Sequence, residues 1–555
     1  MKNKDQLNLY FDESSFQKKE NKNLDVRINI IISVFLIFSF LTVSKLFSLS
    51  MDKKNFFFYE TYLSEPVKRR PIVDQNNNLL AYNIKTHDLL IRTKKIKNFE
   101  NLNLKLKIKF PDIDLKKIKN LNVKSFHIIK KNLNPSEYNK AISLGEPSIE
   151  LVSNEARIYP QKNLFSHIIG NVDTDNQGVS GIEKFLNDDL IDQSKIETPV
   201  VLSLDQNLQF IIHQTLTEGL KVFSAKGASA VLINANNGKV VSMVSLPDYN
   251  LNERSINNQD NYFNKNTKGL YEMGSVFKTF AIANGLEFGK ISREKIYNDL
   301  PSQVTCGKFV IEEYKYSKDK KNLSVNDILV ESSNIGTIRV VQDTGLENYQ
   351  NFLKKIGIFD YSKVELPEVS ASTNVRWGKC RTLTASFGHG INTSPLQLTR
   401  AFASIINGGN LYETSILKNK PVKVSSKIMS ESNSEIMREI LRTNVDKKYY
   451  RGGSGRKADI NGYDVMGKTG TALKPSKSQK GYSNEILNVF TSAFQVDDNY
   501  YALTVLIDEP KGSPELWGHN RRESGWNAGY LNGQIIQKIG PILNTLDYQS
   551  VAKLN

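Results

Sequence analysis

A hydroxyl and an amine lie three residues apart in residues 271–280, which read YEMGSVFKTF. In a helix, Ser275 and Lys278 would share one face about one turn apart, so that the amine is within reach of the serine oxygen. This arrangement suits a serine nucleophile with a lysine base. The spacing alone is weak evidence, because it recurs in this Ser- and Lys-rich chain. In the non-catalytic alternative, Lys278 pairs with a carboxylate and Ser275 caps the helix.

The residues after Ser275 predict a buried helix. Apolar residues occur on nearly every side of it, at Val276, Phe277, Phe280, Ala281, Ile282, Ala283, Leu286 and Phe288. A helix that is apolar all round is buried. Burial favours the neutral form of an amine and lowers its pKa, so we expect Lys278 to be able to accept a proton.

Two further motifs follow the first in a fixed order. Ser332-Ser333-Asn334 comes next, and Lys468-Thr469-Gly470 comes last. The Ser-x-Asn pattern occurs several times in the chain, whereas Lys-Thr-Gly occurs once. The ordered set of three motifs is therefore the specific signal.

The elements around these motifs predict an antiparallel sheet with helices around it. Apolar residues at helical spacing from Leu208 to Phe223 predict an amphipathic helix. The turn Asn236-Asn237-Gly238 joins two β-branched runs, which is typical of a hairpin. Residues 488–510 predict two more strands joined by an Asp-Asp-Asn turn. Strands on both sides of a long helical middle indicate an α+β domain.

One uncharged apolar run, residues 28–44, continues past Lys45 to Leu49. A helix over residues 28–49 would be about 33 Å long, enough to cross a bilayer if Lys45 reaches the interface. A cleaved signal peptide is the alternative, but the run is long and no A-x-A-like site follows it. We predict an uncleaved anchor after a short tail, residues 1–27. Lysines flank the apolar run on both sides, so charge gives little information about the orientation of the anchor in the membrane. The orientation is therefore inferred from function.

Composition limits the possible partners. The chain has 555 residues, 39% of them hydrophobic, which is enough for two or three domains. Its net charge of +16 favours anionic partners. The sequence has no zinc-type Cys/His cluster, glycine-rich phosphate loop or nucleic-acid-binding motif. A membrane or an acidic wall polymer is therefore the expected partner, and no metal or cofactor is predicted.

Two features of lesser weight also give predictions. Cys306 and Cys380 are the only cysteines, and we predict two unpaired structural thiols, with a single bridge in an oxidising compartment as the alternative. Residues 102–110 alternate apolar and polar side chains, which predicts a half-buried strand, with a helix as the alternative.

The three ordered motifs resemble those of the penicillin-binding proteins and serine β-lactamases. Residues 69–81, 156–160, 167–190 and 387–409 are also similar to segments of class B penicillin-binding proteins. The anchor, the Lys-Thr-Gly form and the absence of a glycosyltransferase domain point to the cell-division type, with the elongation type as the alternative. A penicillin sensor and a non-enzymatic division scaffold are further alternatives.

The resemblance implies an organisation for the whole chain. A penicillin-binding transpeptidase fold, an antiparallel sheet with helices on its faces, would occupy residues 196–548. Residues 50–195 would form an elongated non-catalytic pedestal of the dimerisation type. Residues 28–49 would cross the inner membrane once, with residues 1–27 in the cytoplasm and the catalytic domain in the periplasm at the division site.

The resemblance also implies the reaction, which is cross-linking of peptidoglycan stem peptides that end in D-Ala-D-Ala. Ser275 would attack the penultimate carbonyl and Lys278 would take its proton. Ser332 would relay a proton to the leaving amine, and Asn334 would orient Lys278 and the substrate amide.

Substrate binding would fall to the third motif. Lys468, Thr469 and Thr471 would hold the terminal carboxylate, and the backbone N–H groups of Ser275 and Thr471 would form the oxyanion hole. Gly470 would let the substrate backbone lie close to the strand.

The partners implied are a lipid-linked precursor, a membrane-embedded glycan polymerase and other division proteins, with β-lactams as covalent inhibitors and no cofactor. The sequence departs from the family pattern at Arg70, Gln75 and Asn77, where we expect a turn to survive at Asn77. His389 stands where the family usually has Tyr, and we expect it to pack or hydrogen-bond rather than to act as a base. We assign no role to Trp517, His519, Arg521 and Arg522.

Overall fold

The structure is a computed structural model that describes residues 14–51, 67–117, 126–253, 259–313, 321–373, 375–476 and 481–552. The chain divides into two compact units, Met1–Pro66 and Val67–Asn555. Part of the predicted tail, residues 1–13, lies outside the described residues.

The first unit contains helix α1 (Ser14–Met51). Within it, Val26–Ser48 is long and apolar enough to cross a membrane, and its side chains are not buried by the protein. An exposed apolar surface of this length is suited to lipid. The predicted anchor at residues 28–49 therefore falls on a helix of the expected length.

The second unit begins with a mixed sheet. Its strands are β1 (Ile72–Val73), β2 (Leu79–Arg92), β3 (Phe126–Lys130), β4 (Ile149–Ile158) and β5 (Val200–Val201). Strand β2 pairs antiparallel with β1, β3 and β4, and β1 pairs parallel with β5. The helices of this region are α2 (Phe99–Lys109), α3 (Pro135–Ile142), α4 (Ser166–Ile169), α5 (Gly181–Phe185) and α6 (Asn187–Leu190).

The predicted strand over residues 102–110 is wrong, because most of these residues form α2. The Asn98 side chain accepts a hydrogen bond from the Asn101 N–H at 3.0 Å and so begins the helix. Leu102 and Leu106 lie one turn apart and are buried, whereas Leu104 is exposed. The period-2 pattern in the sequence was misleading, since only every second apolar residue packs.

Three of the segments that resemble class B proteins meet at Glu183. Its carboxylate pairs with Arg69 at 2.8 Å and with Arg157 at 2.7 Å, and all three side chains are fully buried. Asn77 has a φ of 67°, so the predicted left-handed turn is present there. These contacts join parts of the chain that lie far apart in the sequence.

The rest of the second unit is built on one antiparallel sheet. Its strands are β6 (Gly227–Asn234), β7 (Val240–Leu246), β14 (Met466–Pro475), β15 (Tyr482–Val496) and β16 (Asn499–Asp508), in the order β14-β15-β16-β6-β7. Short strands lie between them in the chain: β8 (Ile296–Tyr297), β9 (Gln303–Cys306), β10 (Phe309–Glu312), β11 (Leu323–Ser324), β12 (Asn410–Tyr412) and β13 (Val424–Lys427). Gly238, at a φ of 73°, turns the β6–β7 hairpin, and Asp497 and Asp498 join β15 to β16, so both predicted hairpins are confirmed.

Helices cover both faces of this sheet. They are α7 (Gln206–Val222), α8 (Phe277–Glu287), α9 (Val325–Val330), α10 (Asn334–Thr344), α11 (Leu346–Lys355), α12 (Lys379–Ala385), α13 (Pro395–Ile406), α14 (Glu431–Val445), α15 (Pro514–Trp517) and α16 (Ala528–Ala552). Phe490 of β15 packs in one cluster with residues of α7 and α16. Its neighbour Val489 points the other way, into a cluster that contains α8 and α13. The α+β class and the predicted amphipathic helix α7 are confirmed.

The prediction of two unpaired thiols is wrong, because Cys306 and Cys380 form a disulfide. Cys306 ends β9 and Cys380 lies at the start of α12, with their Cα atoms 5.6 Å apart. The fold brings together residues that are 74 positions apart, which no local pattern in the sequence could reveal.

Candidate active site

Ser275 lies in a tight 3-10 turn, Gly274–Val276, that leads directly into α8. Gly274 has a φ of +54°, and a Cβ there would lie 2.4 Å from the Thr471 carbonyl oxygen. A Cβ on Gly388 would lie 2.2 Å from the Gly274 carbonyl oxygen. Both glycines are therefore required for the close approach of the Ser275 turn to β14 and to the segment after α12.

Lys278 is fully buried one turn after Ser275, as the apolar sequence predicted. Its Nζ donates hydrogen bonds to the backbone carbonyl of Ser332 and, at 3.2 Å, to the Ser332 Oγ. The first and second motifs therefore meet directly.

Ser332 occupies the turn between α9 and α10 with a φ of 58°. This left-handed conformation costs a residue with a side chain about 1 kcal/mol, and such strain is concentrated at functional sites. The turn directs the hydroxyl toward a second amine, the Lys468 Nζ, which donates to the Ser332 Oγ at 3.0 Å. The three motifs predicted from the sequence thus converge in one cleft.

Burial controls the charge of both amines. It lowers the pKa of Lys278 well below the usual lysine value, and the charge of Lys468 lowers it further, while Glu313 acts in the opposite direction. Burial lowers the pKa of Lys468 to about 7. A neutral amine that can accept a proton is therefore available near neutral pH.

Strand β14, at the edge of the sheet, carries the third motif. A hydrogen bond of 2.5 Å between the Thr469 Oγ1 and the Ser454 Oγ holds the Thr469 side chain in place. The Thr471 hydroxyl donates a hydrogen bond to the Asn488 Oδ1 at 3.0 Å, which holds the Thr471 side chain. A strand edge with fixed side chains can receive an extended peptide by main-chain pairing.

The structure gives a different reason for Gly470 from the one predicted. A Cβ at this position would lie 2.1 Å from the Met273 carbonyl oxygen and 3.0 Å from a methyl group of Val276. The space beside Gly470 is therefore filled by the Ser275 turn and not left for substrate.

Asn334 does not make the predicted contact with Lys278. Its amide donates to the Glu312 carbonyl at 3.1 Å. Its backbone N–H donates to the Glu313 carboxylate at 2.6 Å, and this carboxylate also accepts from the Ser333 hydroxyl at 2.6 Å. Sequence reasoning missed Glu313, which binds the N-terminus of α10 and so fixes the second motif.

A cavity of about 500 Å³ continues the cleft beyond Ser332. Arg521 and Trp526 line it, and the Lys457 Nζ, which also lines it, lies 4.2 Å from the centre of the Trp517 ring. The His519 ring meets the Trp526 ring edge to face, with centroids 4.5 Å apart. The backbone carbonyl of Arg522 accepts a hydrogen bond from the Asn488 amide at 2.6 Å. This loop, for which no role was predicted, therefore supports Thr471 through Asn488.

Comparisons with known proteins find two family models that match this chain. Residues 228–524 match the family model of the penicillin-binding protein transpeptidase domain, and residues 64–219 match that of the penicillin-binding protein dimerisation domain. The chain is 31% identical over 486 residues to the "probable peptidoglycan D,D-transpeptidase FtsI" of Caulobacter vibrioides, covering 86% of this chain and 81% of the relative. The chain belongs to the class B penicillin-binding proteins.

This class B penicillin-binding protein is similar to further members. It is 26% identical over 425 residues to the peptidoglycan D,D-transpeptidase FtsI of Escherichia coli, covering 71% of this chain and 69% of the relative. Its fold matches the crystal structure of penicillin-binding protein 3 from Mycobacterium tuberculosis with a TM-score of 0.65, at 21% identity over 86% of this chain and 97% of that chain. The predicted family and fold are confirmed.

Proposed function

We propose that this penicillin-binding protein is a peptidoglycan D,D-transpeptidase that cross-links stem peptides at the division septum through an acyl-Ser275 intermediate. The observation that carries the proposal is the convergence of Lys278 and Lys468 on the Ser332 hydroxyl, beside the Ser275 turn. The relatives that bear the name FtsI support the septal type.

In the first half-reaction, the Ser275 Oγ attacks the penultimate carbonyl of the donor stem while Lys278 accepts its proton. The backbone N–H groups of Ser275 and Thr471 stabilise the oxyanion, a contribution of about 3 kcal/mol per donor in comparable sites. The C–N bond then breaks, and a proton passes through Ser332 to the leaving D-alanine amine. In the second half-reaction, an amine of another stem attacks the ester, forms the new amide and returns Ser275 to its hydroxyl form.

Substrate binding involves β14. Lys468, Thr469 and Thr471 hold the terminal carboxylate of the donor, while Lys278, Ser332 and Asn334 flank the reacting bond. The 3.1 Å bond of the Asn334 amide to the Glu312 carbonyl would open for Asn334 to reach a substrate amide. The positive charge of Lys468 attracts the carboxylate.

The position in the cell follows from the substrate. Residues 1–27 would lie in the cytoplasm, the helix at 28–49 in the inner membrane, the pedestal at 50–195 and the transpeptidase domain at 196–548 in the periplasm. The disulfide between Cys306 and Cys380 supports an oxidising compartment. We also propose that the protein acts together with division proteins, including a membrane-embedded glycan polymerase.

The experiment is covalent labelling of the full-length protein, in detergent, with a fluorescent penicillin. We expect the wild-type protein to be labelled and Ser275→Ala to remain unlabelled. Equal labelling of the variant would exclude Ser275 as the nucleophile. Measurement of cross-links formed from a lipid-linked precursor, after polymerisation by a glycan polymerase, then distinguishes a transpeptidase from a protein that is only acylated.

A further inference from the structure

Three residues before the nucleophile, the Glu272 carboxylate is held by one oxygen. Its Oε1 accepts hydrogen bonds from the Gly390 N–H and from the Tyr482 hydroxyl, each at 2.9 Å. Its Oε2 lies 3.6 Å from the Nδ1 of His389, which is too long for a good hydrogen bond. The carboxylate is therefore fixed in position, with its second oxygen directed at a loosely held imidazole.

The loop after α12 and the β14–β15 hairpin build this arrangement. Gly388 and Gly390 both have a φ of 80° and flank His389, whose side chain is 47% exposed. The His389 and Tyr482 rings lie 5.1 Å apart, and Tyr482 is 37% exposed. We call Glu272, His389 and Tyr482 together the Glu272 site. It combines one fixed anion with two accessible rings.

Tyr482 of the Glu272 site and Lys468 lie toward opposite ends of strand β14. Lys468 lies near the start of the strand, and Gly470 packs against the Ser275 turn. Pro475 ends the strand and pairs with Tyr482. An extended donor with its carboxylate at Lys468 and its scissile carbonyl at Ser275 therefore directs its preceding residues toward Glu272.

We propose that the Glu272 site binds a side-chain ammonium group of a peptidoglycan stem. This inference rests on the proposed function of the Ser275 cleft. The carboxylate supplies the opposite charge, and the Tyr482 ring supplies a surface suited to a cation. At the other end of the cleft, Lys278 and Lys468 disfavour a second positive charge.

The ammonium group can come from the donor stem itself or from the acceptor stem. On an acceptor, the ammonium first loses one proton to solvent. The amine nitrogen then bonds to the ester carbonyl carbon, the bond from that carbon to the Ser275 Oγ breaks with its electron pair returning to oxygen, and a second amine proton ends on the Oγ. On a donor, the ammonium only positions the stem for acylation.

Two arms of one experiment distinguish these sources in the full-length protein. The first compares acylation by two thioester analogues of the donor stem, one with a free side-chain amine and one with that amine acetylated. The second compares aminolysis with hydrolysis of the acyl-enzyme when a stem with a free amine is added as acceptor. The variants are Glu272→Gln and Tyr482→Phe. The matched control is Glu485→Gln on β15, which removes the same charge from an exposed pair with Lys511.

We expect Glu272→Gln to lower one of the two ratios by about tenfold or more, because a charged hydrogen bond is lost. A fall in the preference for the free-amine donor assigns the site to the donor, and a fall in the aminolysis-to-hydrolysis ratio assigns it to the acceptor. We expect a smaller fall of the same ratio in Tyr482→Phe and no change in Glu485→Gln.

A folded Glu272→Gln protein with both ratios unchanged would overturn the inference. So would an equal loss of acylation by both donors, since Glu272 would then only position the Ser275 turn. If Glu272→Gln does not fold, the ratios in Tyr482→Phe decide in the same way. Failure of the wild-type protein to be acylated by either donor would overturn the proposed function itself, and is thereby distinguished from failure of the ammonium site alone.

Discussion

Lys278 and Lys468 donate hydrogen bonds to the same oxygen, the Ser332 Oγ, at 3.2 and 3.0 Å. Two buried ammonium groups so close together would repel each other strongly, so the cleft favours a state in which one amine is neutral. The hydroxyl between them links a group that can take a proton to a group that can supply one. The same three side chains can therefore serve both the attack and the departure of the leaving group.

Removal of the Lys278 amine tests the base. Lys278→Met keeps an unbranched side chain of similar length that can stay buried, but this side chain cannot accept a proton. We expect the second-order rate constant for penicillin acylation to fall by at least about 100-fold, the usual contribution of general base catalysis. The matched control is Lys511→Met, which removes an exposed amine from the pair with Glu485. An acylation rate close to that of the wild type would show that another group accepts the proton.

The pH dependence of acylation tests the charge states of the two lysines. The pKa of Lys278 lies well below the usual lysine value, so its proton-accepting form is lost as the pH falls through that pKa. The pKa of Lys468 is about 7, so the positive charge that holds a carboxylate is lost as the pH rises through about 7. We expect a bell-shaped profile with its alkaline limb near pH 7, measured as the second-order rate constant in the free enzyme.

The alkaline limb has its own control. Lys468→Arg replaces the amine by a guanidinium group that stays charged across the range, so the decline above pH 7 should disappear or move to higher pH. A wild-type profile with no decline above pH 7 would contradict the assignment of Lys468 as the carboxylate-binding charge.

Replacement of Gly470 tests the contact between β14 and the Ser275 turn. In Gly470→Ala, the new methyl group would lie 2.1 Å from the Met273 carbonyl oxygen, so the turn must move. We expect a loss of about 1–3 kcal/mol in the free energy of unfolding, together with slower penicillin acylation. Gly378→Ala is the control, because Gly378 has extended backbone and a Cβ there meets no atom within 4 Å. Wild-type acylation by Gly470→Ala would mean that the turn tolerates the displacement.

Reduction of the disulfide tests its contribution to stability. The bond between Cys306 and Cys380 closes a separation of 74 residues, and restriction of the unfolded chain over such a loop contributes roughly 4 kcal/mol. We expect a lower thermal unfolding midpoint in the presence of a reductant. The double variant Cys306→Ser with Cys380→Ser should unfold at that lower midpoint with or without reductant. Identical midpoints for the oxidised and reduced wild-type protein would rule out a stabilising role.

The parts of the site that could be predicted are those that local sequence determines. The apolar neighbours of Lys278 predicted its burial, and Gly238 marked a hairpin, because both signals lie within a few residues. The pairing of Cys306 with Cys380, the carboxylate of Glu313 at α10 and the reason for Gly470 were not predictable in this way. Each depends on which distant segments the fold brings together. The sequence around each of these residues does not indicate which distant residue it will contact.

Residues 102–110 illustrate the opposite case, in which a local signal was present but ambiguous. Alternating apolar residues satisfy the period of a strand, yet Leu102 and Leu106 alone also satisfy the spacing of a helix. The cap at Asn98 and the packing of one face decided in favour of α2. Local pattern gave the candidates, and tertiary contacts selected between them.

The buried pairing of Glu183 with Arg69 and Arg157 sets a practical limit on shortening the polypeptide. A soluble version that lacks the membrane helix must still begin before Arg69. If Arg69 were trimmed away, Glu183 would keep only one of its two counter-charges in a site that water does not reach, and removing a partner from such a pair costs about 3–5 kcal/mol. A truncation made a few residues too late would therefore weaken the attachment of the N-terminal region, although every residue of the three motifs would still be present.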